Sequence, residues 1–295
     1  MSDPDQLAEQ FELARPRLGT VAYRMLGSHA EAEDAVQESW IRLSRTDADE
    51  VESLPAWLTT VVSRICLNVL RSRAARPEDP IGLRLPDPVL GREETFGPED
   101  DALLNDSVSL ALMIVLDTLA PTERVAFVLH DMFHLTFDEV AKVVGRSTVA
   151  ARQLASRARR RVQGASASSA DGDFATRRLL VDAFFAAARG GDLDALVALL
   201  DPDVELRADG GRTLVSASAV VRGAGPTAQR AALFRQPGVV VRAVLVNGSP
   251  GALVERDGRP VSVMGFAIAR GRIVGIQILL DPDRLGAMDL AALHG

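Results

Sequence analysis

The stretch Thr136-Phe137-Asp138-Glu139-Val140-Ala141-Lys142-Val143-Val144-Gly145-Arg146-Ser147-Thr148-Val149-Ala150-Ala151-Arg152-Gln153-Leu154-Ala155-Ser156-Arg157 carries the most specific pattern in the chain. Thr136 stands three residues before Glu139, the spacing at which two side chains and the opening amides of a helix satisfy one another. Phe137, Val140, Ala141 and Val144 then recur at helical spacing and make one apolar face. Gly145 predicts a left-handed stop, and Ser147 predicts the cap of a second helix. That helix turns Ala151, Ala155, Ala158 and Val162 inward, small enough for close packing. Its outer face carries Arg152, Gln153, Ser156, Arg157 and Arg160. Residues 120–162 therefore read as a helix-turn-helix. Six arginines and no acid lie between Arg146 and Arg161, although the chain as a whole has a net charge of −7. A basic helix in an acidic chain points to a local nucleic-acid contact. The plainer alternative is a solvated basic face, in a chain where Lys142 is the sole lysine.

Composition narrows the rest. A chain of 295 residues predicts two or three domains, and an apolar share of 47% is enough for packed cores. The acidic balance excludes a protein that coats nucleic acid by bulk charge. Cys66 is the single cysteine, so neither an internal disulfide nor a cysteine metal cluster is expected. Its apolar surroundings predict a buried structural thiol. The polar, acidic start Met1-Ser2-Asp3 is unlike a signal peptide, and no apolar run reaches membrane-spanning length. A cytoplasmic protein is expected.

Five segments follow along the chain. Residues 1–76 predict an all-helical domain. Gly27 ends a first helix, and Ser28 with Glu31 predicts a capping box for the second. In the second helix Ala32, Ala35, Val36, Ser39, Trp40 and Leu43 mark a buried stripe, opposite Glu33, Asp34, Gln37, Glu38 and Arg42. A third helix opens near Ser53 and turns Trp57, Leu58, Val61, Val62, Ile65 and Val69 inward. It becomes basic toward Arg64, Arg71, Arg73 and Arg76, which also suits the helix dipole. Residues 77–106 hold five prolines and nine acids against Arg84 and Arg92, the composition of an extended or partly disordered linker. Residues 107–163 hold the helix-turn-helix. Residues 164–172, rich in Ser, Ala and Gly, predict a flexible tether.

Residues 173–295 change character. A helix from Phe174 to Arg189 is expected to turn Leu179, Leu180, Ala183, Phe184 and Ala187 inward, followed by a short helix Leu193–Leu200. Strands are expected at Val204–Arg207, Val239–Val246, Ala252–Arg256, Val261–Ala269 and Ile273–Leu280. Asp257-Gly258 and Arg270-Gly271 are hairpin signals. Helices followed by a curved antiparallel sheet make an α+β layout.

With these residues in view, the first 163 resemble a bacterial RNA polymerase sigma factor of the extracytoplasmic-function group. Asp34-Ala35-Val36-Gln37-Glu38-Ser39-Trp40 resembles the hallmark of sigma region 2. Pro55-Ala56-Trp57-Leu58, with Arg64, Asn68, Arg71 and Arg73 downstream, resembles the part of that region that reads and melts the minus-ten element. The helix-turn-helix resembles region 4, the reader of the minus-thirty-five element. The C-terminal residues resemble a SnoaL-like domain, a cone of curved sheet and helices around a pocket. Together they resemble the SigJ-like subgroup, in which a fused domain stands in for a separate anti-sigma protein. The motifs of that subgroup have counterparts in Leu85-Pro86-Asp87-Pro88, Asp209-Gly210-Gly211-Arg212 and Asp281-Pro282-Asp283-Arg284-Leu285. The linker motif lacks the usual tryptophan, and the glycine run is one residue shorter.

The resemblance implies a multidomain protein that binds core polymerase and directs promoter-specific initiation. Ser147, Arg152, Gln153, Ser156, Arg157 and Arg160 would contact the upstream element, and Trp57, Arg64, Asn68, Arg71 and Arg73 the minus-ten element. Asp34, Gln37 and Glu38 would dock on the polymerase clamp helices, with the polymerase flap a further partner. The residues alone leave Trp57 open between base stacking and core packing. The C-terminal domain would modulate activity in cis through the three motifs, and its pocket leaves room for a small ligand. No cofactor or metal is implied. A rival reading is an enzyme in the cone, which needs a buried acid or histidine with a displaced pKa. The domain has no tyrosine, and His294 is its sole histidine, so catalysis is not expected. A second rival, a DNA-binding regulator that works without polymerase, is opposed by the region 2 motif.

Overall fold

The structure is a computed structural model that describes residues 4–46, 53–75, 84–92, 109–166, 173–231, 238–288 and 290. It divides into two units, Met1–Glu78 with Val115–Gly164 and Asp79–Ile114 with Ala165–Gly295. Arg76, most of the 77–106 linker, residues 167–172 and His294 lie outside the described residues.

The first unit is helical among its described residues. α1 (Pro4–Leu26), α2 (His29–Leu43) and α3 (Leu54–Ala75) pack through Leu18, Met25, Val36, Leu43, Leu58 and Val62, all buried. Gly27 ends α1 in the left-handed conformation. Ser28 stands at the start of α2, but its hydroxyl makes no capping bond, so the expected box is absent. Glu31 pairs instead with Arg73 of α3, since a guanidinium is a stronger partner for a carboxylate than a wet helix amide. Trp40 lies against Phe11. Cys66 is buried as expected, and burial pushes its thiol up to about 12.

The same unit holds the last three residues of α4 (Leu110–Asp117), then α5 (Pro121–Phe127), a π-helical turn (Val128–Met132), α6 (Phe137–Val144) and α7 (Thr148–Ser166). The capping box of α6 is formed: Thr136 N donates to Glu139 Oε2 at 2.8 Å, and Glu139 N donates to Thr136 Oγ1 at 3.3 Å. Those bonds hold the Glu139 carboxyl below the usual carboxylate range. Gly145 takes φ 68°, and Ser147 Oγ accepts from Ala150 N at 3.3 Å. Ala151, Ala155, Ala158 and Val162 are buried, as their spacing predicts.

In the second unit α8 (Phe174–Gly190) and α9 (Leu193–Leu199) precede a sheet. The buried face of α8 is Val181, Phe184, Phe185 and Ala188, while Leu179 is 69% exposed and Ala183 is also exposed. The expected stripe was therefore partly misplaced, because the phenylalanine pair sets the inward direction. Seven described strands have the order β1-β4-β5-β6-β7-β2-β3. They are β1 (Leu90–Gly91), β2 (Leu200–Asp209), β3 (Ala219–Arg222), β4 (Val239–Val246), β5 (Ser249–Arg256), β6 (Arg259–Ala269) and β7 (Arg272–Leu279). Neighbours run antiparallel except β2 and β7, which are parallel. A short helix, α10 (Ala224–Ala231), precedes β4, and α11 (Pro282–Gly286) follows β7.

The sheet is apolar on both faces. One packs Ala252, Val254, Phe266, Ile276 and Ile278 against Phe184 and Phe185 of α8, with Phe184, Phe185 and Phe266 in edge contact. The other gathers Val244, Val246, Leu253, Val263 and Leu279 around Leu285 of α11 and Leu110 of α4. Gly265 of β6 lies directly under Leu110: a Cβ there would stand 3.1 Å from the Leu110 side chain.

Candidate functional site: a linker clamp and two nucleic-acid faces

The parallel pairing of β2 with β7 brings Asp209 opposite Leu279 and sets the ends of the two strands side by side. The chain leaves β2 through Asp209-Gly210-Gly211-Arg212 and leaves β7 into Asp281 and α11. Asp281 caps α11, accepting from Asp283 N at 3.0 Å and Arg284 N at 3.4 Å. Gly211 has φ 61°, and a Cβ there would fall 1.8 Å from Asp281 Oδ2. Only glycine meets both conditions.

Onto this corner comes the linker. Leu85 N donates to Asp209 Oδ2 at 2.8 Å. Arg284 donates from Nε to Asp87 Oδ1 at 2.6 Å, from Nη1 to Asp209 Oδ2 at 2.7 Å, and from Nη2 to the Leu85 carbonyl at 2.7 Å. Asp209 Oδ1 also accepts from Gly211 N at 2.9 Å. One guanidinium thus holds two carboxylates and a peptide carbonyl, the kind of fork that arginine is built to make. Leu85, Pro86 and Pro88 are buried and Asp87 is half-buried. Farther on, Val89 and Asn247 bond to each other twice, at 2.8 and 3.0 Å, and Leu90-Gly91 pairs with Val246-Leu245 as an edge strand. Leu90 and Gly91, in a segment expected to be an extended or partly disordered linker, are here part of a sheet. Of the predicted residues, Arg212, Pro282 and Asp283 are exposed, and Asp283 accepts from Thr213 Oγ1 at 3.2 Å. Leu285 is buried beneath α11.

On the helix-turn-helix, Ser147, Arg152, Gln153, Ser156, Arg157 and Arg160 are all exposed. Arg152 lies over the Phe137 ring at 5.2 Å. Arg157 Nε donates to Glu123 Oε1 at 2.8 Å, Arg161 Nη1 to Glu123 Oε2 at 3.0 Å, and Arg159 Nε to Asp131 Oδ1 at 2.6 Å. On α3, Arg64, Asn68 and Arg71 are exposed, and Arg73 is half-buried against Glu31. Arg64 Nη2 donates to the carbonyl of Lys142 in α6 at 2.8 Å. Trp57 is half-buried and lines a groove of about 640 Å³ with Arg17, Glu139 and Lys142. On α2, Asp34 and Gln37 are exposed, while Glu38 is half-buried and paired with Arg42 at 2.9 Å. Gln37 stands between two grooves, one shared with Trp40 and one with Tyr23 and His29.

Comparison with known proteins places these parts together. The family description Sigma-70 region 2 matches residues 11–76, and Sigma-70, region 4 matches residues 109–162. The ECF RNA polymerase sigma factor SigJ of Mycobacterium tuberculosis is 40% identical over 287 residues, covering 93% of this chain and 92% of the relative. The chain belongs to the extracytoplasmic-function RNA polymerase sigma factors. The probable sigma factor SigI of the same organism is 35% identical and covers 97% of each chain. The crystal structure of SigJ matches with a TM-score of 0.73 over 96% of this chain and 99% of that one, at 35% identity.

As a sigma factor of this group, the protein directs promoter-specific initiation by RNA polymerase, through regions 2 and 4 as read in the sequence. No helix among the described residues is long and apolar enough to cross a membrane. Sequence reasoning missed Glu123, Asp131, Asn247, and the Leu110–Gly265 contact. Glu123 left a trace, an acid two residues before the apolar run Val125-Ala126-Phe127. Asn247 left another, since Asn247-Gly248 is itself a hairpin signal.

Proposed function

We propose that the C-terminal domain governs this sigma factor in cis by gripping the linker between regions 2 and 4. The observation that carries this reading is the Arg284 fork on Asp87, Asp209 and the Leu85 carbonyl. The gripped segment is the only covalent connection between the two DNA-reading regions, so holding it changes the reach of each toward the promoter. The domain is tethered in the same chain, at an effective concentration on the order of millimolar, so modest contacts suffice. In this reading the domain acts by contact and not by catalysis. Asp209, buried at the end of β2, has both oxygens occupied.

The roles of the two DNA faces follow from exposure and chemistry. The outer face of α7 suits a major groove, where Arg and Gln can pair with base edges. Arg64, Asn68 and Arg71 on α3 suit unpaired bases and phosphates of the minus-ten element. For Arg64 that role requires release of the Lys142 carbonyl. Gln37, between its two grooves and beside Asp34 and Glu38, suits the clamp helices of the polymerase, and the flap is assigned to region 4.

The test is transcription with core polymerase by the full chain and by its Arg284→Ala variant. A severalfold change in promoter-dependent output, with unchanged binding to core enzyme, supports the reading. Wild-type output under every condition tried refutes it.

A further inference from the structure

We propose that Glu123 is a positioning residue for promoter reading. It holds Arg157 by Nε, so that the two terminal nitrogens of that guanidinium face outward as a fixed fork for a guanine edge.

Glu123 sits in α5, ahead of the helix pair α6 and α7, and its side chain is only 8% exposed. A buried carboxylate beside Val125 and Ala126 is costly unless each oxygen finds a donor. Both do: Oε1 accepts from Arg157 and Oε2 from Arg161. Those arginines are four residues apart on α7, hence on one face and one turn apart. Their side chains remain 48% and 56% exposed, so the charges are gripped from beneath and not submerged.

The position of the bond on Arg157 gives it a functional sense. Guanidinium is planar with five donors, and a base edge is read by two of them in parallel. A partner on Nε stops the side chain from rotating and leaves the terminal pair for O6 and N7 of guanine. A side chain already fixed in its bound shape loses less entropy on contact. Arg161, held at a terminal nitrogen, is the second strut and not a reader. Arg152, by contrast, rests on the Phe137 ring, a softer support.

The proposal rests on α7 being the helix that reads upstream promoter DNA. The test uses the full chain with core polymerase and a duplex DNA library randomised across the upstream promoter element. Glu123→Gln and Arg157→Ala should lose preference at the same base pair, each by about five- to hundredfold. Because Glu123 acts through Arg157, the double variant should lose little more than either single one. Arg157→Lys, which keeps the charge but not the fork, should lose the same preference. As a check free of any substitution, the Arg157 Nε–H of the free protein should exchange with solvent more slowly than that of Arg152. Unchanged base preference in Glu123→Gln overturns the proposal. So does uniform weakening on all sequences, full additivity with Arg157→Ala, or equal exchange at the two arginines. If Arg152→Ala and Gln153→Ala also leave the library profile unchanged, the reading of α7 itself falls with it; if they alter it, only the role of Glu123 falls.

Discussion

In the helix-turn-helix, the bonds that set the geometry join neighbours: Thr136 to Glu139 and Ser147 to Ala150, each three residues apart. In the linker clamp they join Leu85 to Asp209, Asp87 to Arg284 and Leu85 to Arg284, which are 124, 197 and 199 residues apart. The first region can form as soon as its own segment is helical. The clamp exists only after β2 and β7 have paired and α11 has been capped. A reading module assembled locally is robust, whereas a contact assembled from three distant segments depends on each of them. That dependence suits the controlling role proposed for the clamp.

The contrast is broken most severely at Gly211. Gly211→Ala must adopt a left-handed backbone, at a cost of about 1–2 kcal/mol. It also places a Cβ against the Asp281 carboxylate, and overpacking adds roughly 1–3 kcal/mol. The expected outcome is a lower Tm for the C-terminal domain in the full chain, with the helical signal of the sigma regions retained. Calorimetry of the variant checks it.

A smaller effect is expected at Thr136. Thr136→Ala removes the cap of α6, at a cost of about 1 kcal/mol. Amide exchange should quicken at the start of α6 and leave Leu85 and Val89, which belong to the other unit, unchanged.

The smallest effect is one of pH. The Glu139 carboxyl is held below its ordinary value first by the Thr136 hydroxyl, then by the Thr136 amide, and by Lys142. Its contribution is therefore present above the unfolded value, about 4.3, and is lost as pH falls through the lower folded one. Acidification from neutral should loosen the first turn of α6 only below that range. Thr136→Ala, which lacks the bond, should show less of this acid response in an NMR titration.

How much of this was legible follows from the same contrast. The turn at Gly145, the capping box, and the inner alanines of α7 are patterns within one segment, and period and composition reveal them. The strands β4 to β7 were legible for the same reason, through alternation and hairpin residues. The capping box at Ser28 misled because Arg73, more than forty residues away, competes for Glu31. The stripe on α8 misled because its direction is set by Phe184 and Phe185 against Phe266. The three clamp motifs were visible as segments, and their convergence came from resemblance. The central role of Arg284 needed the parallel β2–β7 ladder, which no local pattern announces. The pairing of Leu90-Gly91 was hidden by its length: two residues carry no periodicity.

The most direct test of the clamp is amide hydrogen exchange at Leu85 in the full chain and in Arg284→Ala. The Leu85 amide is bonded to Asp209, and Arg284→Ala leaves that buried carboxylate without its cation. Breaking such a pair costs about 3–5 kcal/mol, so exchange at Leu85 should accelerate by roughly a hundredfold to a few thousandfold. Val140 and Ala141 of the helix-turn-helix should keep their wild-type rates. If Leu85 stays as protected in Arg284→Ala as in the wild type, the linker is not held by this clamp.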